Sequence, residues 1–370
     1  MAFSFGFSGD DIDIDDSEIH NKAQDVFVPT SNGNTLPELV KAAKHDMDEW
    51  LSILPSQIFF NRLAISGTPL VIGRREVIDI RTQLMAEDTA DHENEELIAG
   101  IEEGDLKPNF YEGGFKTWEC SLDLAKLVAA ENIVTESLGD SQTNIHTIEL
   151  GSGTAVPSLT LFAHILNQTE SSEGTQPSKK ILFTFADYND AVLRLVTLPN
   201  LLLTWHINRQ QATPTPEEQD PAQVQQEEEE LDITPELISE FKSDLIRRGI
   251  TFDFISGAWS LEFVDLVFFA RTAGDYKTLL LASETIYSPA SLKAFSETLL
   301  DLVRRSSTDS MKTRAMIAAK KVYFGVGGGV DEFLAVLKEV AAGELQVEQR
   351  LDVKSEGVGR VVLEVAPTSN

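Results

Sequence analysis

The chain has 370 residues and a formal charge of −30, from 60 acidic against 30 basic side chains. An apolar share of 42% supports a real core and excludes wholesale disorder. The charge argues against a broad nucleic-acid face, which needs clustered Lys and Arg, so no direct nucleic-acid contact is expected. A single cysteine, Cys120, excludes an internal disulfide and a cysteine-built zinc site, and the six histidines show neither H-x-x-x-H nor H-E-x-x-H spacing, so no metal is expected. The first residues lack the basic start and apolar run of a secretory signal, and no apolar stretch reaches the roughly 18 residues of a membrane helix. A soluble intracellular protein without a membrane partner is the expectation.

The acidity is local. Residues 1–20 hold six acids, residues 87–105 hold nine, and residues 208–232 hold eight against one Arg, together −22 of the −30. The last segment is rich in Pro, Gln and Glu, a composition that buries too little apolar surface to offset ordering entropy. It reads as a disordered acidic insertion at 208–232, with a shorter one at 171–179. As placed segments, the charges suggest steering of a basic protein partner.

In chain order, residues 1–105 read as an acidic, partly disordered extension. Within it, 36–60 carries apolar residues at helical spacing, and 69–85 suggests a strand followed by irregular structure. Residues 106–370 form the main domain. A helix over 121–133 has Ser121 as its expected cap. Strands follow at 146–150, 181–186, 251–256, 278–283 and 315–326, alternating with helices at 156–167, 191–206, 288–305 and 330–341. The tail adds an antiparallel pair. Near-continuous apolar strands between helices predict a parallel, doubly wound α/β sheet covered on both faces.

The sharpest motif is IELGSGTAV (148–156) at the first strand-to-helix turn. Glycines there let a ligand approach the backbone, and the next helix presents free N–H groups. A dinucleotide fingerprint needs Gly or Ala where Val156 stands, so a nicotinamide oxidoreductase is disfavoured. The pattern is instead Glu149-x-Gly151-x-Gly153-x-Ala155, which resembles the S-adenosylmethionine-dependent methyltransferases with a seven-stranded Rossmann-like sheet. In that class the acid and the glycines lie under the methionine portion of the cofactor. Asp187 ends the second strand, at a sheet edge where an acid can accept hydrogen bonds from ribose hydroxyls.

Five segments sharpen the resemblance: YEGGFKTWECSLDLAKLV (111–128), DYN (187–189), VTLPN (196–200), SETIY (283–287) and YFGVGGG (323–329). In this order they are similar to the protein-histidine N-methyltransferases that modify a large-subunit ribosomal protein, fungal members in particular. SETIY also fits the (D/E)-x-x-Y signature of lysine and histidine protein methyltransferases through Glu284 and Tyr287. The resemblance implies a cofactor pocket of Trp118, Glu119, Cys120 and Ser121, then Glu149, Gly151 and Gly153, then Asp187, Tyr188 and Asn189. Gly257, Ala258 and Trp259 would flank the adenine and Ser283 would close the pocket. Relatives usually carry an acid where Ala258 stands, which removes a side-chain contact to the adenine amine and leaves only backbone contacts there.

Methyl transfer from a sulfonium is an in-line displacement, so catalysis is mostly positioning. A neutral imidazole is a fair nucleophile near pH 7. Glu284 or Tyr287 would orient the ring or take the released proton. The expected protein is a cytoplasmic and nuclear monomer acting on a basic ribosomal protein. Spacing alone leaves open a lysine target, or a noncatalytic ribosome-assembly binder with the same fold. Cys120 reads as a buried neighbour of Trp118, and GVGGG (325–329) as a turn bordering the substrate groove.

Overall fold

A computed structural model describes residues 40–87, 94–102, 113–131, 143–168, 179–211, 229–269, 271, 276–308, 311, 313–324, 327–354 and 357–368. The arm at 1–20, most of the insertions at 171–179 and 208–232, and residues 111–112 and 325–326 of the quoted motifs lie outside them.

The strands are β1 (Ala43–His45), β2 (Gln57–Ala64), β3 (Val71–Arg75), β4 (Asn144–Leu150), β5 (Ile181–Asp187), β6 (Glu229–Asp232), β7 (Ile250–Ser256), β8 (Tyr276–Ser283), β9 (Arg314–Lys320), β10 (Leu345–Val353) and β11 (Arg360–Pro367). The main sheet runs β1-β7-β5-β4-β8-β9-β11-β10. Strands β7, β5, β4, β8 and β9 are parallel, and β11 and β10 complete the sheet in antiparallel fashion. These are the seven expected strands. The fifth stops at Lys320, short of the expected Val326.

Burial explains the parallel core. All seven residues of β5 are buried, as are six of seven in β4. One face packs Phe183, Phe185, Phe252 and Phe254 against the helices Glu119–Ala130, Val156–Gln168, Leu198–Gln211 and Pro235–Arg248. The other packs Ile148, Leu150, Leu280 and Ile317 against Leu261–Phe269, Leu292–Ser306 and Val330–Ala341. The helix Pro235–Arg248 shows how sequence sets its ends: Thr234 caps the Leu237 N–H, Pro235 fills the first turn, and Gly249 closes it at φ 69°. In chain order the strands leave β4 toward β5 on one side and β8 on the other. That reversal opens a crevice at the carboxyl ends of β4 and β8, where open α/β sheets bind ligands.

The N-terminal region corrects three expectations. Residues 40–102 do not stand apart from the main domain: Leu39–Asn370 forms one compact unit. No long helix covers 36–60. Asp46 caps only the short helix Met47–Ser52, by accepting from Asp48 and Glu49 N–H, and Pro55 prevents its continuation. The aromatic and β-branched run after Pro55 then becomes β2, and β1 joins β7 antiparallel as an eighth strand. Residues 77–87, expected to be irregular, form the helix Val77–Glu87.

The edges of the acidic insertion are also ordered. Residues 208–211 extend the helix Leu198–Gln211, and β6 pairs with β2 in a small sheet with β3. Ser121 is not the expected cap. Trp118 occupies that position, and the Ser121 hydroxyl donates to the Trp118 carbonyl at 2.6 Å inside the first turn.

Candidate active site

Between β4 and the helix Val156–Gln168 the chain turns through three left-handed residues: Gly151 at φ 64°, Gly153 at φ 49° and Ala155 at φ 57°. Ala155 is a non-glycine held there, a strained conformation typical of functional turns. Gly151 must be glycine for space as well. A Cβ would lie 2.5 Å from the Thr285 methyl on the neighbouring strand end. The turn from β4 and the SETIY segment after β8 therefore touch, as the crevice requires.

Glu149 lies beneath this turn, 1% exposed, and its Oε2 accepts the Ser158 N–H at 3.1 Å. Its Oε1 is buried without a hydrogen-bond partner. Burial pushes its carboxyl up to about 8, and the Asp187 charge adds to the shift. Asp187 accepts the Gly153 N–H at 3.0 Å and the Asn189 N–H at 3.3 Å. It therefore shapes the glycine turn, and a carboxylate retains lone pairs for further donors. The carbonyls of Asp187 and Tyr188 accept the Gly257 N–H at 3.0 and 3.2 Å. Asn189 leads the next helix, with its Nδ2 buried and unpartnered. A left-handed glycine turn, an orphaned buried acid and a strand-end carboxylate fit the methionine and ribose portions of S-adenosylmethionine.

The adenine side differs from expectation. The Ala258 N–H, the backbone contact left after loss of an acid there, donates to the Val40 carbonyl at 2.9 Å. The segment leading into β1 lies across Gly257 and takes that donor. Trp259 packs edge-on against Phe263 and Phe295, with centroids at 5.2 and 6.0 Å, half-buried against the hydrophobic core.

A second cluster lies at the ends of β8 and β9. Glu284, just beyond Ser283, is left-handed at φ 59°, and its N–H donates to the Ala318 carbonyl at 3.0 Å. Its side chain is 10% exposed, yet both carboxylate oxygens are buried without hydrogen-bond partners. Such an arrangement is costly and marks a site awaiting a donor. Lys320 Nζ is 3.8 Å from Glu284, 3.4 Å from Glu119, and 4.9 Å above the Trp118 ring. Cys120 is buried, and burial together with the Glu284 charge pushes its thiol well up, which rules it out as a nucleophile. Glu119 is exposed and points toward Lys320 and Arg360. Tyr287 meets Tyr323 edge-on at 6.3 Å.

Comparison with known proteins places this arrangement. The chain is 34% identical over 364 residues to Histidine protein methyltransferase 1 of Saccharomyces cerevisiae, covering 92% of this chain and 91% of that protein. It is 34% identical over 363 residues to its namesake in Schizosaccharomyces pombe, covering 98% and 92%. The chain belongs to the histidine protein methyltransferase family. The mouse homologue aligns over 261 residues at 31% identity, covering 70% of this chain and 58% of its own length. No family model matches. Among solved structures, magnesium protoporphyrin IX methyltransferase from Synechocystis aligns over 79% of this chain and 94% of its own, at 10% identity and TM-score 0.32.

In this histidine protein methyltransferase the site has supports that the expected residue set lacks. Thr197 Oγ1 donates to the Gly153 carbonyl at 2.7 Å, and Asn200 Nδ2 donates to the Thr154 carbonyl at 3.1 Å. Both belong to VTLPN. Pro199 has no N–H to offer the Leu195 carbonyl, and the adjacent helix widens into a π segment at Leu193–Thr197. Arg75 of β3 supplies the missing donor. Its Nη1 bonds the Leu195 carbonyl at 2.9 Å and its backbone N–H bonds Asn200 Oδ1 at 2.8 Å, while Asp79 holds its guanidinium at 2.6 Å. Helices Val77–Glu87 and Glu95–Glu102 then cover Phe115, Val192 and Val196 beside the same turn. Pro199 was visible in the sequence; Arg75, about 120 residues away, carried no local signal.

Proposed function

We propose that the chain transfers a methyl group from S-adenosylmethionine to a histidine imidazole of a large-subunit ribosomal protein, as a cytoplasmic and nuclear monomer. The observation that carries the histidine reading is Glu284: a buried carboxylate whose oxygens close no geometric hydrogen bond, one residue from the contact with the glycine turn. A neutral imidazole has one N–H and one lone pair. Glu284 accepts the N–H, which leaves the opposite nitrogen free to face the methyl group that S-adenosylmethionine supplies when bound. That lone pair forms the N–C bond as the C–S bond breaks onto sulfur. The remaining N–H proton of the product imidazolium passes to Glu284 and then to water.

A basic ribosomal substrate is supported by the family resemblance and by where the acidity lies. The second acidic segment includes the helix Glu95–Glu102, whose Ile101 carbonyl accepts from Lys116 Nζ at 2.9 Å, two residues from Trp118. This helix flanks the site. The third segment leaves the helix at Gln211 and returns in β6.

Glu284→Gln should lower turnover about 100-fold while leaving S-adenosylmethionine affinity by calorimetry within twofold. Full turnover with unchanged affinity would refute the role of Glu284.

A further inference from the structure

The loop after β9 contains a motif whose part in the site is unexplained: Tyr323 and the glycines that follow. Its geometry is closely specified. Tyr323 N–H donates to the Gly328 carbonyl at 3.0 Å, and Gly327 N–H returns to the Tyr323 carbonyl at 3.1 Å. Gly328 N–H donates to the Tyr287 carbonyl at 3.0 Å, and a Cβ on Gly328 would collide with that carbonyl. The loop therefore clamps the backbone of Tyr287 to that of Tyr323, and their rings meet edge-on at 6.3 Å. The described part of this turn, residues 327–329, is a built support.

The Tyr323 hydroxyl is fixed too. It accepts the Lys320 N–H at 3.2 Å, which leaves its proton to be donated elsewhere. It lies beside the Glu284 carboxylate, close enough to interact with it directly. Burial, and then the Glu284 charge, push this hydroxyl well up, so it stays a phenol and a donor at any working pH.

We propose that Tyr323 is a positioning residue that fixes the Glu284 carboxylate, so that the target imidazole enters in one orientation and only one of its two nitrogens is methylated. This rests on the histidine reading above and extends it to the choice of nitrogen. Tyr323 acts through Glu284: its O–H donates to one carboxylate oxygen and leaves the other to accept the imidazole N–H. Tyr287 and Tyr323, clamped through Gly328, border the ring. Without the Tyr323 hydroxyl the carboxylate can turn, and either imidazole nitrogen can present its N–H to it.

The test is to incubate wild type and Tyr323→Phe with labelled S-adenosylmethionine and total protein from a strain lacking this gene. Amino-acid chromatography after acid hydrolysis then separates the two methylhistidine isomers. Wild type should give one isomer, and Tyr323→Phe should raise the share of the other about tenfold, with cofactor affinity by calorimetry unchanged. An unchanged isomer ratio with an initial rate within twofold of wild type overturns the proposal. If Tyr323→Phe melts early or fails to bind cofactor, Gly328→Ala decides. It should shift the isomer ratio the same way, and an unshifted ratio overturns the clamp. Absence of any methylhistidine from wild type would instead overturn the histidine reading itself.

Discussion

Glu149→Gln probes the most heavily buried carboxyl in the site. The folded carboxyl titrates at about 8 against an ordinary 4.5. A folded value above the unfolded one means that stability is complete below pH 4.5 and is lost as pH rises through 8. Each pH unit in that window costs about 1.4 kcal/mol, so the loss is under about 1 kcal/mol at pH 5, about 3 kcal/mol at pH 7, and at most about 5 kcal/mol above pH 9. Glutamine keeps the shape, and its amide oxygen can accept the Ser158 N–H, but it does not ionise. Urea unfolding of the cofactor-free protein at pH 5, 6, 7 and 8 should show the variant gaining on wild type at every step. A gap between the two that stays constant with pH would refute the reasoning, because desolvation of an ionisable group is its only pH-dependent ingredient.

Arg75→Met should destabilise the protein by about 3 kcal/mol or more, since it strands Asp79 and the Leu195 carbonyl, and should weaken S-adenosylmethionine binding without touching the ligand; calorimetry at equal folded fraction checks this, and unchanged affinity would sink it. Gly151→Ala forces a left-handed alanine against the Thr285 methyl, so cofactor affinity should fall at least tenfold while the melting temperature drops only modestly; retained affinity would contradict the close approach. His146, buried against Thr184 Oγ1 at 2.9 Å, is pushed down to about 3 by burial and then by Arg271. A folded value below the unfolded 6.5 means that its contribution is present above pH 6.5 and lost as pH falls toward 3, about 3 kcal/mol by pH 4. His146→Asn should therefore flatten the acid limb of the stability profile, and an unchanged limb would refute this.

The parallel core was legible because its strands are buried on both faces and read as apolar runs, such as ILFTFA, between helical stretches. The places of Gly151, Asp187 and Glu284 in the fold were legible because a strand-to-helix turn and a strand end are positions defined along the chain. What escaped depends on contacts distant in sequence. Arg75 on a short strand gave no sign that it would fill the gap left by Pro199. Nor did residues 40–45 show that they would lay an eighth strand on β7 and take the Ala258 N–H. The periodicity of 36–60 suggested one helix because it counts apolar spacing, but Pro55 and the β-forming run QIFF outweigh that spacing. Trp259 was assigned by resemblance to the adenine side, and its edge-on contact with Phe295 depends on tertiary packing that the sequence does not display.

The central claim is that this fold methylates histidine in a protein. Labelled S-adenosylmethionine, total protein from a strain lacking the gene, and amino-acid analysis after acid hydrolysis test it most directly. The account predicts label in methylhistidine on a basic protein of the large ribosomal subunit, and loss of that label with Glu284→Gln. Label in methyllysine with none in methylhistidine would contradict it.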